Sequence, residues 1–145
     1  MKTIKTGTVS SKIKRGDQVV FIAGKEYARY DSAGKRQPFR GKVIAVDARN
    51  GSPTYGRHFS IELSAANKRQ LLIPKGFAHG FSVLSERAEV LYKCDGFYNK
   101  ESEGGFRFDD PAFNIDWQIP ADKATISDKD KILPFLESIK TNFEY

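Results

Sequence analysis

The sequence has little cysteine and no long apolar run. These two features argue against a disulfide-linked protein and against a membrane-spanning one. Its one cysteine, Cys94, excludes an internal disulfide and is typical of a protein in a reducing cytoplasm. No apolar run approaches the ~18 residues of a membrane-spanning helix, and the sequence does not open on a signal-peptide pattern. We therefore expect a cytoplasmic protein that has no membrane contact.

The rest of the composition predicts a mainly-β protein. A chain of 145 residues is long enough to bury a substantial core in one domain. Glycine, proline and aromatic residues recur at short intervals, and this spacing favours many short strands. We expect residues 1–145 to form a single domain, in which residues 1–40 are an atypical basic segment and residues 41–145 are different in kind.

Charge is distributed unevenly along the chain. Residues 1–50 contain 12 of the 24 Lys and Arg residues but only 4 of the 18 Asp and Glu residues, whereas residues 51–145 have a small acidic excess. A basic segment of this kind can bind phosphate, either on nucleic acid or on a nucleotide. The alternative is a solvated lysine-rich surface without a ligand. When charge is the only observation, it favours this alternative over phosphate binding.

The main candidate site lies between Leu71 and Asp110. A short apolar run, Leu71–Ile73, is stopped by proline and glycine and predicts one strand. Two further strands are predicted from residues that alternate along the chain and so share one face: Phe77, His79, Phe81 and Val83 in the first, and Val90, Tyr92 and Cys94 in the second. Antiparallel pairing of these two strands across the polar turn 85–87 would point His79 and Tyr92 into one interior.

An imidazole and a phenol in an aromatic-lined hollow form a candidate catalytic site. The structural alternative is that His79 is a hydrogen-bonded structural residue and that Tyr92 completes the core with its hydroxyl at the rim. Periodicity alone favours the structural alternative.

Elsewhere the pattern predicts further strands, one loop and one helix. Strands are expected at 19–22, 41–47, 55–63 and 106–108, and an exposed loop at 27–40. Ser127 and the acidic residues after it are typical of a helix N-terminus, and the apolar residues that follow predict a short C-terminal helix with Pro134 early in it.

Residues 12–47 resemble the KOW element of large-subunit ribosomal proteins and transcription factors. The resemblance rests on Lys14-Arg15-Gly16-Asp17, on the strand and Gly24-Lys25 that follow, and on Gly41-Lys42-Val43. The family forms a small SH3-like barrel that contacts RNA. The resemblance implies RNA binding through the basic residues of 12–42.

Residues 41–140 closely resemble the dTDP-4-dehydrorhamnose 3,5-epimerase family. Four motifs occur in the family's order and spacing: IPKGFAHGF at 73–81, AEVLYKC at 88–94, EGGFRFDDP at 103–111 and SDKD at 127–130. The resemblance implies a double-stranded β-helix of the cupin jelly-roll type, complete or incomplete, with a short C-terminal helix. It also implies a homodimer that acts on a dTDP-linked 4-keto sugar without metal or cofactor.

The resemblance implies a role for each matching residue. A proton beside a ketone is removed by a base and returned by an acid, and a donor stabilises the enolate oxygen between the two steps. By resemblance, Tyr92 is the acid and Asp130 the carboxylate that pairs with the base. The same comparison makes His79, Glu103 and Lys129 substrate-binding residues.

One part of the family's catalytic set has no counterpart in this sequence. The family's base is a histidine in an Arg-Gly-Leu-His motif, and the two histidines of this chain, His58 and His79, lie outside any such motif. The lysine and arginine of the family's early strands are also missing, because residues 1–40 do not resemble the family. We therefore expect substrate binding with weak or absent turnover.

Two other functions remain open from the sequence, a nucleic-acid-binding module and a structural hybrid without a ligand. A jelly roll without its first strands exposes sheet edges and apolar faces. Either residues 12–47 supply replacement strands or a second subunit covers these faces, and we expect a homodimer.

Overall fold

The structure, a computed structural model of the 145-residue chain, describes residues 18–22, 29–30, 36–37, 39–85, 88, 90–94, 96–97 and 99–145. These residues include ten β-strands and a single α-helix of four residues, α1 (Asp128–Lys131). The strands are β1 (Gln18–Ile22), β2 (Arg29–Tyr30), β3 (Arg36–Gln37), β4 (Arg40–Asp47), β5 (Arg49–Asn50), β6 (His58–Ser64), β7 (Gln70–Ile73), β8 (Phe77–Val83), β9 (Val90–Cys94) and β10 (Phe143–Glu144).

The longer strands form two antiparallel sheets of three strands each. One sheet has the order β6-β4-β8 and the other the order β7-β1-β9. Two small pairings complete the architecture, an antiparallel β2–β3 pair and a parallel β5–β10 pair. The fold is therefore mainly β, as the composition predicts.

Strand β4 is the centre of the described core because it is apolar on both faces. Val43 and Ala45 pack on one face, together with Phe39, Leu63 and Ile73. Ile44 and Val46 pack on the other face, against Phe113. Successive side chains of a strand point to opposite faces, so a strand with apolar residues at consecutive positions, as at 43–46, must be covered on both sides. We call the first side the inner face of the β6-β4-β8 sheet and the second its outer face.

The C-terminal part of the chain covers the outer face. Trp117 donates its indole N–H to the Phe108 carbonyl at 2.8 Å, and its own carbonyl accepts a hydrogen bond from Ser82 Oγ at 2.8 Å. The predicted strand at 106–108 is not found, because this segment lies across the sheet and pairs with no strand edge there. Its role is to cover the sheet.

The predicted pairing of the two candidate-site strands is wrong. Strand β8 pairs with β4 from Gly41↔Val83 to Asp47↔Phe77, whereas β9 pairs with β1 in the other sheet. Alternation identifies which residues share a face, but it does not identify the neighbouring strand. The doubly buried strand β4 takes the place beside β8 that the hairpin prediction gave to β9.

The short C-terminal helix is confirmed, but it ends earlier than predicted. Ser127 caps α1, whose last residue is Lys131, and Ile132 already has a non-helical ψ of 0°. Pro134 and the apolar residues after Ile132 follow the helix, and Leu136–Ser138 forms a separate 3₁₀ turn. No helix in the part of the chain that the structure describes has the length and hydropathy needed to span a bilayer.

The N-terminal third adds backbone to both sheets. The strand predicted at 19–22 is observed as β1, which lies between β7 and β9. The loop predicted at 27–40 contains the β2–β3 pair and the first residue of β4. Residues 12–17 and 23–25, which contain most of the KOW-like residues, lie outside the described residues.

A buried ion pair joins the end of β4 to the chain around it. Asp47, with 1% of its surface exposed, accepts hydrogen bonds from Arg49 Nε at 2.8 Å and Arg49 Nη2 at 2.7 Å. The hydroxyls of Ser52 and Thr54 donate to the same carboxylate at 2.6 Å each. The hydrogen bonds from Arg49, with those from the two hydroxyls, hold the pKa of Asp47 well below its ordinary value although burial opposes this.

Arg49 is itself enclosed by aromatic rings. Its guanidinium lies 4.7 Å from the ring centroid of Phe77 and 4.8 Å from that of Tyr145. Gly76 has a φ of +88°, and a Cβ there would lie 2.5 Å from Arg49 Cγ. The close approach of arginine and the positive φ both require glycine at position 76.

We expect Asp47→Asn to lower the free energy of unfolding by about 3 kcal/mol, because it leaves a largely buried guanidinium without its carboxylate. The folded-state pKa of Asp47 is depressed, so its stabilisation is present above the ordinary value of ~3.9 and is lost as pH falls toward the folded pKa. Urea unfolding between pH 7 and pH 3 measures both effects.

Asp109→Asn is the matched control. Asp109 forms the same two-point contact with an arginine two residues away, from Arg107 Nε at 2.8 Å and Nη2 at 2.7 Å, but both partners are partly exposed. A solvent-screened pair contributes much less to stability. Equal losses in the two variants would contradict the importance assigned to the burial of Asp47.

Candidate functional site

The two sheets bring His79 and Tyr92 together from opposite sides. His79 lies on β8 and Tyr92 on β9, and their ring centroids are 6.4 Å apart with an angle of 68° between the planes. This edge-to-face arrangement is a favourable one for two aromatic rings. The proximity predicted from alternation is therefore observed, although it arises from facing sheets rather than from paired strands.

The residues beside His79 form an open aromatic surface. Ala45 on β4 has Phe59 as its neighbour on β6 and His79 as its neighbour on β8. Phe81 lies two residues further along β8 on the same face. Phe59 is 55% exposed and Tyr92 53%, so these rings are open to solvent although Ala45 between Phe59 and His79 is buried.

Burial tunes the charge state of His79. The side chain is exposed to solvent at the surface, but the protein around the imidazole lowers its pKa below the ordinary value because the charged form is less well solvated there. The imidazole is therefore neutral near pH 7. A neutral imidazole can both donate and accept a hydrogen bond.

The opposite side of β8 fixes the backbone of His79. Gly80 faces the outer side, and a Cβ at this position would lie 3.1 Å from Cη2 of Trp117. The indole occupies the space that a side chain at 80 would take. Its N–H donates to the Phe108 carbonyl, and the backbone carbonyl of Trp117 accepts from Ser82 Oγ, so the residue is held in place. The strand that carries His79 is therefore supported from behind.

Glu103 and Lys129, two of the predicted binding residues, are in direct contact. The ammonium of Lys129 donates to Glu103 Oε2, and both side chains are partly exposed. Lys129 belongs to α1, whereas Glu103 follows the 3₁₀ turn Lys100–Ser102. The structure thus unites residues that lie 26 positions apart in the sequence.

Asp130, the predicted catalytic carboxylate, has a local structural role. Ser127 Oγ donates to Asp130 Oδ2 at 2.7 Å, and the Asp130 N–H donates to Ser127 Oγ at 3.1 Å. This reciprocal arrangement is a variant of the capping box, with aspartate in the third helical position. Its catalytic role, like the roles of the other four residues, stays a prediction from resemblance.

Two residues of the basic segment contact carboxylates within the chain. The ammonium of Lys42 bonds to the Asp116 carbonyl and lies 3.7 Å from the Asp116 carboxylate. Arg40 lies 3.8 Å from Glu62. RNA binding through residues 12–42 stays a prediction, and the described contacts of Arg40 and Lys42 do not favour it. Within the described residues, no cluster of three His, Cys, Asp or Glu side chains could hold a metal ion.

Sequence reasoning missed Asp110. Asp110 is 5% exposed, and its carboxylate accepts hydrogen bonds from the N–H groups of Ala112 at 2.9 Å and Leu136 at 2.7 Å. The first bond is an Asx turn, which Asp-x-x sequences at turns commonly form and which could have been predicted. The second joins distant segments and has no local signal.

Two facing antiparallel sheets with a candidate site at their open end are typical of the cupin-type jelly roll. A sequence profile of the dTDP-4-dehydrorhamnose 3,5-epimerase family matches residues 37–138. The chain belongs to this family.

Individual relatives agree with the profile. The Shigella flexneri dTDP-4-dehydrorhamnose 3,5-epimerase is 52% identical over 87 residues, which are 60% of this chain and 47% of that protein. The Methanothermobacter thermautotrophicus enzyme is 40% identical over 114 residues, which are 76% of this chain and 62% of that protein. The chain spans about half the length of most of the curated relatives that it matches.

Solved structures show the same fold. The dTDP-4-dehydrorhamnose 3,5-epimerase of Elizabethkingia anophelis superposes with a TM-score of 0.73 and 41% identity, covering 87% of this chain and 61% of that one. The dTDP-6-deoxy-D-glucose-3,5-epimerase of Legionella pneumophila, solved in complex with dTDP-4-keto-L-rhamnose, has a TM-score of 0.74 and 37% identity, covering 89% and 62%. The jelly-roll prediction is confirmed.

We expect His79 to titrate below the ordinary histidine pKa of ~6.5, and Tyr92→Ala to raise its midpoint by removing a ring that shields it from water. Because the folded pKa is depressed, protonation favours the unfolded state, and stability from this residue falls as pH drops through ~6.5. NMR titration of the imidazole carbons, assigned with His79→Asn, measures the midpoint.

Leu91→Ala is the control for this titration. Leu91 is the neighbour of Tyr92 on β9, is 55% exposed, and points to the opposite side of the strand. We expect its truncation to leave the His79 midpoint unchanged. An equal shift in both variants would mean that Tyr92 does not provide the shielding.

Proposed function

We propose that this chain binds a dTDP-linked 4-keto sugar between its two sheets, at His79 and Tyr92, and that its epimerase turnover is weak or absent. The proposal rests on the contact between the rings of His79 and Tyr92, in a jelly-roll chain that belongs to the epimerase family. The Legionella relative, described in complex with dTDP-4-keto-L-rhamnose, supports the ligand class.

The aromatic surface suits a ligand of this kind. Phe59 and Phe81 present apolar rings beside the polar groups of His79 and Tyr92, so one wall can pack against a ring while the other hydrogen-bonds to it. We assign Glu103 and Lys129 to further contacts with the ligand, as their places in the family motifs suggest.

Turnover needs a base, and the chain offers a poor choice of one. His58 pairs with Val46 at the end of β6, where alternation places it on the side opposite to Phe59. Asp130 is engaged in capping α1. The remaining candidate for the base is His79, to which we have assigned ligand binding. A well-placed acid or base contributes about 100- to 10,000-fold to rate, so the loss of one such group is enough to make turnover very slow.

We expect dTDP and the dTDP-linked 4-keto-6-deoxy sugar to raise the melting temperature of the chain, because a ligand that binds only the folded state stabilises it. His79→Asn should weaken this response, whereas His58→Asn, the same substitution on the outer side of β6, should preserve it. Differential scanning fluorimetry over a ligand series measures the change. No response to either ligand would refute the proposed function.

Solvent deuterium incorporation at C3 and C5 of the sugar tests the second half of the proposal. We expect exchange close to the uncatalysed rate in the parent chain and in Tyr92→Phe. Rapid exchange in the parent chain that His79→Asn abolishes would show that His79 serves as the base, and weak turnover would then be wrong.

We further propose that the protein is a homodimer in which a second copy borders the ligand site on the inner face. Phe59 and Phe81 are both exposed on this face, on the two strands that flank β4, and exposed apolar surface commonly marks an interface. The described order of the sheets leaves β6, β8, β7 and β9 at their edges. An open strand edge is itself a site for pairing with another chain.

Phe81→Glu should shift the dimer toward monomer, because it places a charge in the proposed interface. Ile132→Glu is the control: Ile132 is also an exposed apolar residue, but it lies beyond α1 and away from the inner face. Light scattering at micromolar concentration measures the mass. A folded monomer in the parent chain would refute the dimer.

A further inference from the structure

Two separate segments of the chain contact one another from end to end. We call residues 103–110 and 129–136 the paired segments. The contacts run in the same order along both: Glu103 with Lys129, Gly105 with Leu133, Arg107 with Pro134 and Phe135, and Asp110 with Leu136. Contacts in register at four places indicate that the paired segments form one structural unit.

The middle of this unit combines three kinds of contact. The Arg107 N–H donates to the Pro134 carbonyl at 3.0 Å, and the Arg107 guanidinium lies 4.8 Å from the ring centroid of Phe135. A Cβ at Gly105 would lie 3.2 Å from Leu133 Cδ1, so the segments also touch where Gly105 has no side chain. These contacts lie near the surface, and each is weak alone.

Asp110 is the buried end of the unit. Its Oδ2 accepts from the Leu136 N–H at 2.7 Å and its Oδ1 from the Ala112 N–H at 2.9 Å, so both oxygens are used. A charged acceptor makes a stronger hydrogen bond than a neutral one, particularly away from water. The bond to Leu136 therefore sets the register of residues 129–136 against residues 103–110.

We propose that Asp110 is a positioning residue that locks the paired segments together and thereby holds Lys129 against Glu103. The functional meaning of this role rests on the proposed function, in which Glu103 and Lys129 contact the ligand. Asp110 acts through the backbone of Leu136 and reaches no ligand itself. A purely local alternative is an Asx turn at Ala112 that shapes residues 110–112 alone.

The Lys129 side chain provides a spectroscopic signature of the proposal. The NMR signals of its Cε and Nζ report the contact with Glu103, so Glu103→Gln should shift them in the parent chain. If Asp110 holds the pair together, Asp110→Asn should shift the same signals in the same direction. Adding Glu103→Gln to Asp110→Asn should then produce little further change.

Asp122→Asn is the matched control for the substitution at 110. It makes the same chemical change at an exposed aspartate outside the paired segments. It should leave the Lys129 signals unchanged. A general effect of removing one negative charge would appear in both variants.

Amide hydrogen exchange tests whether the segments open as one unit. In the parent chain the N–H groups of Leu136 and Arg107 should exchange with the same opening equilibrium, and Asp110→Asn should accelerate both by about tenfold, since it weakens a buried hydrogen bond. The Asp47 N–H, which donates to the Arg57 carbonyl, lies outside the unit and should be unaffected.

A second variant removes the donor instead of the acceptor, in case Asp110→Asn does not fold. Phe135 has φ −76° and ψ 156°, which suit a residue before proline, and Leu136 opens a 3₁₀ turn. Leu136→Pro should therefore delete the N–H without distorting the backbone, while Leu136→Ala controls for the lost side chain. Only the proline variant should shift the Lys129 signals.

The outcomes separate this inference from the proposed function. Unchanged Lys129 signals in both Asp110→Asn and Leu136→Pro, or exchange of Leu136 and Arg107 at unrelated rates in the parent chain, would overturn the positioning role. A failure of dTDP and the dTDP-sugar to bind would overturn the proposed function, while the signals of the unliganded protein would still decide the role of Asp110.

Discussion

The fold depends on one carboxylate placed where the central strand ends. Asp47 is buried, so its charge must be compensated locally, and Arg49, Ser52 and Thr54 provide the compensation. This requirement bends the chain back on itself directly after β4. Arg49 then reaches the ring of Phe77 at the start of β8 and the ring of Tyr145 near β10. One buried charge thus connects the central strand, the following turn, the next strand of the sheet and the last strand of the chain.

The two faces of the β6-β4-β8 sheet differ because different parts of the chain are available to cover them. The segment from Phe106 to Trp117 crosses the outer face and is fixed by hydrogen bonds from its own groups. The inner face is covered along β4, at Val43 and Ala45, but less well on the two flanking strands, where Phe59 and Phe81 are exposed. The candidate site lies at this boundary between covered and uncovered surface, where polar groups can meet a ligand beside apolar rings.

The strands could be predicted from the sequence to the extent that their alternation is strong. Residues 41–47, 71–73 and 77–83 have patterns that identify a strand, and the structure confirms all three. The meeting of His79 with Tyr92 followed from the same patterns. Pairing could not be derived in this way, because β8 and β9 each have two edges and alternation is the same for either neighbour.

Residues with long-range roles were the least predictable. Asp47 and Asp110 look like ordinary turn acids in the sequence, since nothing within a few positions shows that they are buried. Asp130 carries a family motif and also caps its own helix, and the capping pattern is the one that local sequence can identify.

Trp117 is the only tryptophan in the sequence, and its indole rests on Gly80, directly behind His79. Indole emission depends on the polarity and mobility of its surroundings, so the single tryptophan is a fluorophore that packs against the strand of the candidate site. A displacement of β8 by a bound molecule would alter the environment of that one ring. The intrinsic fluorescence of this chain therefore reports events on the inner face without any added label.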